Sequence, residues 1–75
     1  MPKLPALPPK KLIKILGKMG FEVDRVSGSH VILYRIVDKK RVVIPCHTKD
    51  LPKGTLLEIL REAGVDKNQL KDLLD

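Results

Sequence analysis

The stretch that decides the fold is SGSHVILYRIVDKKRVVI, residues 27–44. It contains two runs rich in β-branched residues, and a polar turn at residues 38–40 separates them. A second turn, at residues 27–29, precedes the longer run, and Pro45 ends the shorter one because proline has no backbone N–H to donate. The pattern predicts three strands over residues 21–26, 30–37 and 41–44. Short connections of this kind join antiparallel neighbours, so we expect a three-stranded antiparallel meander.

The second predicted strand is apolar on both faces. One face carries His30, Ile32, Tyr34 and Ile36, and the other carries Val31, Leu33 and Val37. Helices that pack on such a sheet cover only one face. We therefore expect the other face either to tolerate exposure or to dock a partner.

Residues 10–19 predict an amphipathic helix before the sheet. Its apolar face carries Leu12, Ile13, Ile15, Leu16 and Met19, and its opposite face carries Lys10, Lys11, Lys14 and Lys18. Pro9 suits the first turn of this helix. Gly20 followed by Phe21 predicts a left-handed C-cap with its apolar contact.

Two further helices are predicted after the sheet. Asp50 is the expected N-cap of a helix that begins near Pro52 and ends at Gly64. Its apolar positions are Leu56, Ile59, Leu60 and Ala63. Residues 66–69 predict a capping box ahead of a short last helix that carries Leu70, Leu73 and Leu74. The order α-β-β-β-α-α predicts an α+β fold.

Length and composition limit the class of protein. The 75 residues form one domain over 10–75, preceded by a Pro-rich leader over 1–9 that we expect to be extended and poorly anchored. The single Cys46 excludes an intrachain disulfide and a cysteine-based zinc site, which favours a reducing cytoplasm. No apolar run is long enough for a membrane span, and the N-terminus lacks a signal-peptide core. We expect a soluble cytoplasmic protein.

The distribution of charge favours a polyanionic partner. Residues 1–50 hold 11 lysines and arginines against 4 acidic residues, whereas residues 51–75 hold 4 against 5, and the whole chain carries +6. Such a basic side is typical of proteins that bind nucleic acid. Phe21 and Tyr34 are the only aromatic residues, too few for stacking platforms. We therefore expect contacts to the phosphate backbone.

Gly28-Ser29-His30 is the candidate for chemistry. An imidazole, with an ordinary pKa of about 6.5, both takes and gives protons near neutral pH. The small Gly-Ser step leaves the ring accessible and exposes N–H groups that suit an anion such as phosphate. This combination favours RNA cleavage by proton transfer. The alternative is an ordinary surface histidine in a loop.

Four segments give the chain, from about residue 12 to residue 74, a resemblance to the HicA toxins of HicA/HicB toxin–antitoxin pairs. They are LGKMGF (16–21), GSH (28–30), VIPCH (43–47) and LPKGTLLEILREAG (51–64). The resemblance implies a fold like that of double-stranded-RNA-binding domains, mRNA-cleaving endoribonuclease activity, His30 as the catalytic residue, and a HicB-like antitoxin as partner. Ser27 departs from the family, which often has Lys or Arg there. Arg25 is the candidate to replace that cation at phosphate.

The expected reaction is attack by the RNA's own 2′-hydroxyl on phosphorus. It needs a base, an acid and nearby cations, but no metal or cofactor. The acidic residues of the chain are better explained as helix caps and exposed helix charges than as metal ligands. His47 matches a histidine that is common after the family's Val-x-Pro segment. It is a candidate second acid or base, RNA contact or local hydrogen-bonding group. Lys49 and Lys53 flank the start of the second helix and are candidate phosphate ligands or simply solvated lysines.

Two other functions are compatible with the sequence. The first is a non-catalytic double-stranded-RNA-binding module, which shares the α-β-β-β-α order and binds without cleaving. The chain has Pro52-Lys53-Gly54-Thr55 where such modules usually carry a basic cluster. The second is a protein-interaction adaptor that uses the uncovered sheet face, which leaves the basic side unexplained.

Overall fold

The computed structural model describes residues 7–47 and 49–74. The elements are α1 (Pro9–Lys18), β1 (Glu22–Ser27), β2 (His30–Arg35), β3 (Lys40–Pro45), α2 (Lys53–Ala63) and α3 (Lys67–Leu74). The strands form one antiparallel sheet in the order β1-β2-β3. The predicted α+β fold with an open three-stranded sheet is confirmed. None of the described helices is long and apolar enough to cross a membrane.

The core lies between the helices and one face of β2 and β3. Leu33 pairs with Val42, and both are buried on this face together with Ile44. α2 packs against β3, and α1 contacts both β3 and α3. The buried apolar side chains of the helices are Leu12, Ile15, Leu16, Leu56, Ile59, Leu60, Ala63 and Leu70. None of the described helices covers the opposite face of the sheet, as the sequence predicts.

The end of α1 follows the predicted cap. Gly20 has a φ of +95°, and its N–H donates to the Gly17 carbonyl at 3.2 Å. The N–H of Phe21 donates to the Leu16 carbonyl at 3.1 Å, so two of the last carbonyls of the helix gain partners. Phe21 itself is buried and extends the core past the helix end.

The start of α2 differs from the prediction. Its N-cap is Pro52, no side chain caps it, and Asp50 is not the cap. The reason is that Leu51 is buried and donates its N–H to the Leu7 carbonyl at 2.8 Å. This contact places Leu51 and Pro52 between Asp50 and the first helical residue, Lys53.

The other predicted helix ends are confirmed. α2 ends at Gly64 in the left-handed conformation. Before α3, the Asp66 N–H donates to Gln69 Oε1 at 2.9 Å, and the Asn68 N–H donates to Asp66 Oδ1 at 3.1 Å, which is the expected capping box. Leu70 is buried, whereas the side chains of Leu73 and Leu74 lie outside the described part.

Strand β2 is two residues shorter than predicted. Ile36 and Val37 are 77% and 89% exposed in the turn after Arg35. The turn is closed by Asp38, whose Oδ1 accepts from the Lys40 N–H, and by Lys39 at a φ of +56°. The apolar character of residues 36–37 therefore did not extend the strand, because the local polar contacts end it first.

Arg35, which the sequence analysis did not single out, connects the sheet to two helix ends. Its guanidinium binds both carboxylate oxygens of Asp38, at 2.9 and 2.6 Å. It also donates to the carbonyls of Met19 (3.1 Å) and Ala63 (3.3 Å), and lies 4.6 Å from the centre of the Phe21 ring. The hydrogen bonds to Asp38 raise the pKa of Arg35, and those from Arg35 lower the pKa of Asp38.

The leader expected over residues 1–9 is anchored at its end. Leu7 and Pro9 are buried, and the Leu7 carbonyl accepts the bond from Leu51. Leu7 is anchored because the loop before α2 gives it both a backbone partner and an apolar site. Residues 1–6 lie outside the described part of the chain.

Strand β1 is exposed along its whole length. Val23 and Val26 pair with Leu33 and Val31, so they share the face on which the helices pack, yet they are 54% and 64% exposed. The helices cover β2 and β3 but not this edge. Exposed apolar surface therefore remains on both faces of the sheet, whereas the sequence predicts it on only one face.

Candidate functional site

His30 is presented by a tight hairpin turn. Ser27 pairs with His30, and Gly28 and Ser29 form the two-residue connection between β1 and β2. Gly28 has a φ of +59°, which is the conformation that a glycine supplies at the first position of such a turn. His30 is the first residue of β2 and is exposed. The Gly-Ser step thus places His30 at the start of β2 without covering its imidazole.

The structure brings His47 next to His30. Pro45, the last residue of β3, pairs with His30, and the Cys46 N–H donates to the Ser29 carbonyl at 2.6 Å. The two imidazole ring centres are 6.2 Å apart, and the ring planes are tilted by 52°. Both side chains are exposed, and the side-chain hydrogen bonds found among residues 7–47 and 49–74 involve neither ring. Two exposed imidazoles therefore lie next to each other.

Arg25 lies on the same sheet face as His30. It pairs with Ile32 across β1 and β2, and Ile32 is two residues after His30 in the strand. Side chains two residues apart in a strand point to the same side. The structure therefore places the Arg25 guanidinium on the face that carries the His30 imidazole.

Lys49 and Lys53 occupy different places. Lys49 lines a cavity of about 160 Å³ together with Pro8, Pro9, Lys10 and Cys46, where α1 begins. Lys53 is the first residue of α2, is exposed, and is not part of this cavity. Lys10 belongs to the lysine face of α1, and its proximity to Lys49 depends on how the chain folds back.

Cys46 has a packing role between the cavity and the core. It is partly buried against the core, and its Sγ lies 3.6 Å from the Ile44 carbonyl. No group of three histidine, cysteine, aspartate or glutamate side chains suited to a metal ion occurs in the described part of the chain.

The open face near the site is partly covered by polar groups. The guanidinium of Arg41 lies 4.8 Å from the centre of the Tyr34 ring and 3.6 Å from Asp24. Val43 is 45% exposed on the same face, and Ile32 is half-buried. The face is therefore a mixed surface of charged groups of both signs and apolar groups rather than a purely apolar one.

Comparison with known protein families identifies a match over most of the chain. Residues 9–65 match the family described as the HicA toxin of bacterial toxin–antitoxin. A comparison with curated proteins gave no significant match. The matched segment runs from the first residue of α1 to the residue after Gly64, so it includes the sheet, both histidines and α2. The chain therefore belongs to the HicA family of toxins of bacterial toxin–antitoxin systems.

Proposed function

We propose that this toxin is an endoribonuclease that cuts mRNA, with His30 as general acid or base. The observation that carries the proposal is the exposed His30 imidazole at the end of a two-residue turn, 6.2 Å from a second exposed imidazole. Imidazoles in this position supply proton transfer near neutral pH. The family match supports the toxin role, and the site supports the chemistry by which the toxin acts.

The proposed reaction starts from the RNA itself. One imidazole takes the proton of a 2′-hydroxyl, and the 2′-oxygen forms a bond to the adjacent phosphorus. The bond from phosphorus to the 5′-oxygen breaks, and that oxygen takes up a proton. The products are a 2′,3′-cyclic phosphate and a 5′-hydroxyl, and no atom is gained from water. Cations beside the phosphate stabilise the charge on its other oxygens.

Arg25, Lys49 and Lys53 are the proposed phosphate ligands. All three are exposed, and Arg25 shares a sheet face with His30. The chain carries a net charge of +6. Binding led by phosphate contacts depends little on base sequence and strongly on salt. We therefore expect cleavage of many RNA sequences in the cytoplasm, where mRNA is available.

The proposed partner is a HicB-like antitoxin that covers His30. The surface beside His30 combines Arg25 and Arg41 with the apolar Ile32 and Val43. A partner with acidic and apolar side chains fits this surface, and complementary charge speeds association. The bound antitoxin would occupy the place of RNA.

The decisive experiment measures cleavage of single-stranded RNA by the purified protein in EDTA. His30→Ala is expected to lower the rate by about 10²–10⁴-fold, which is the usual contribution of a positioned acid or base. The variant should keep the far-UV circular dichroism of the parent, because His30 is exposed.

Three results would contradict the proposal. Loss of cleavage in EDTA would show that the reaction requires a metal, and a parental rate for His30→Ala would exclude this histidine. RNA binding without any cleavage would instead favour a non-catalytic double-stranded-RNA-binding module.

A further inference from the structure

We infer that His47 is the second proton-transfer group of the site and acts on the scissile phosphodiester together with His30. The inference rests on the proposed endoribonuclease function and assigns the group that this chemistry needs in addition to His30. Among the described residues, His47 is the one whose imidazole lies beside that of His30. The remaining possibilities for His47 are an RNA contact and a local structural role.

The distance between the rings suits a shared substrate. Ring centres 6.2 Å apart lie beyond the contact of two directly hydrogen-bonded groups. A phosphodiester that lies beside the two rings offers a different oxygen to each imidazole. The two ring planes are tilted by 52° and do not stack on each other.

The relative position of the two histidines is held by the backbone. Pairing of His30 with Pro45 and the 2.6 Å bond from the Cys46 N–H to the Ser29 carbonyl join the two segments. Neither contact involves an imidazole. The backbone therefore brings the two residues together without a contribution from their rings, which argues against a structural role for His47.

The two imidazoles divide the reaction between them. In the forward step one is neutral and accepts the 2′-hydroxyl proton, while the other is protonated and donates to the 5′-oxygen as the bond to phosphorus breaks. The pair ends with its protons exchanged and recovers its first state through solvent. No oxidant, metal or further co-reactant enters the balance.

The test uses two RNA substrates that differ at one atom. The first has the natural 5′-oxygen at the scissile linkage, and the second has sulfur there, which leaves as a thiolate without a proton donor. On the oxygen substrate, His47→Ala and His30→Ala should each lose about 10²–10⁴-fold in kcat. On the sulfur substrate, one variant should recover to near the parental rate and the other should stay slow.

The outcomes separate this inference from the proposed function. If the parent protein cuts neither substrate, the endoribonuclease function fails. If the parent cuts RNA and His30→Ala does not, but His47→Ala cuts the oxygen substrate at the parental rate or changes only KM, the function stands and the role of His47 is wrong. If the sulfur substrate restores the rate of both variants, or of neither, the two histidines do not act as an acid and a base. His47→Gln and thermal unfolding of each variant exclude loss of fold as the cause.

Discussion

Gly20 and Gly17 lie three residues apart at the end of α1 and have opposite requirements. Gly20 has a φ of +95°, and a Cβ there would approach Arg35 Cδ at 3.4 Å. Gly17 is helical, and a Cβ there would meet nothing within 4 Å. The same substitution at the two positions therefore separates backbone strain from helix propensity.

We predict that Gly20→Ala destabilises the protein by about 1–2 kcal/mol, the cost of a left-handed residue with a Cβ. Gly17→Ala is expected to stabilise it by about 0.5–1 kcal/mol, because alanine loses less backbone entropy in a helix. Urea denaturation of both variants measures the difference. Equal effects at the two sites would show that the cap of α1 does not constrain the chain.

Lys49 and Lys53 are predicted to bind phosphate, whereas Lys71 is not. Lys49→Ala and Lys53→Ala should each flatten the slope of log K against log salt for single-stranded RNA by about 0.7. Lys71→Ala is the matched control, because this exposed lysine lies in the last turn of α3 and should leave the slope unchanged. Filter binding at several salt concentrations gives the slopes. Slopes equal to that of the control would show that Lys49 and Lys53 are only solvated.

At the scale of elements, the end of β2 connects the two longer helices. Arg35 binds the carbonyl that follows α1 and the last carbonyl of α2, as well as Asp38 in the turn. The contact between Arg35 and Asp38 is local in the sequence. The two carbonyls that Arg35 also binds belong to residues 16 and 28 positions away, so no local sequence pattern predicts them. The helix caps at Gly20 and Asp66 were predictable because neighbouring residues make them. The start of α2 was not, because it depends on Leu7.

The Arg35–Asp38 pair predicts how stability changes with pH. The folded state lowers the pKa of Asp38, so the pair stabilises the fold above the ordinary aspartate pKa of about 3.9. This contribution is lost as the pH falls through the lowered pKa of the folded state. Asp38→Asn should therefore be less stable than the parent at pH 7, and the difference should shrink at pH 3 and below. Urea midpoints for both proteins at these pH values test this, and a constant difference would exclude the carboxylate.

At the scale of the whole molecule, the candidate site is identified from the sequence, from the family match and from the strand register. The Gly-Ser-His segment predicted His30 from the sequence, and the family match carries the toxin role. The closeness of His47 follows from the register of β2 against β3, in which His30 meets Pro45. Register depends on which faces of all three strands are buried, and no local pattern of residues 43–47 contains it. The uncovered edge β1 was likewise invisible, because it results from where the helices end.

We predict that a HicB-like antitoxin protects one side of the molecule. In hydrogen exchange of the free and bound protein, amide protection should appear in residues 28–37 and around His47. The surface there includes the exposed Arg25 and the half-buried Ile32. A specific interface should bury at least about 1,000 Å² in total. Protection confined to the lysine face of α1 would mean that inhibition acts at a distance from His30.

The burial of Leu7 has a consequence for deletion mapping. Leu7 and Leu70 are 1% and 0% exposed, and both lie outside the matched segment 9–65. Removing a buried leucine side chain costs about 2–5 kcal/mol, a large share of the roughly 5–15 kcal/mol that holds a typical domain folded. A protein trimmed to residues 9–65 loses both and should not fold. A shortened protein that is no longer toxic would then have lost its fold rather than a catalytic residue. Catalytic residues must therefore be identified with point substitutions.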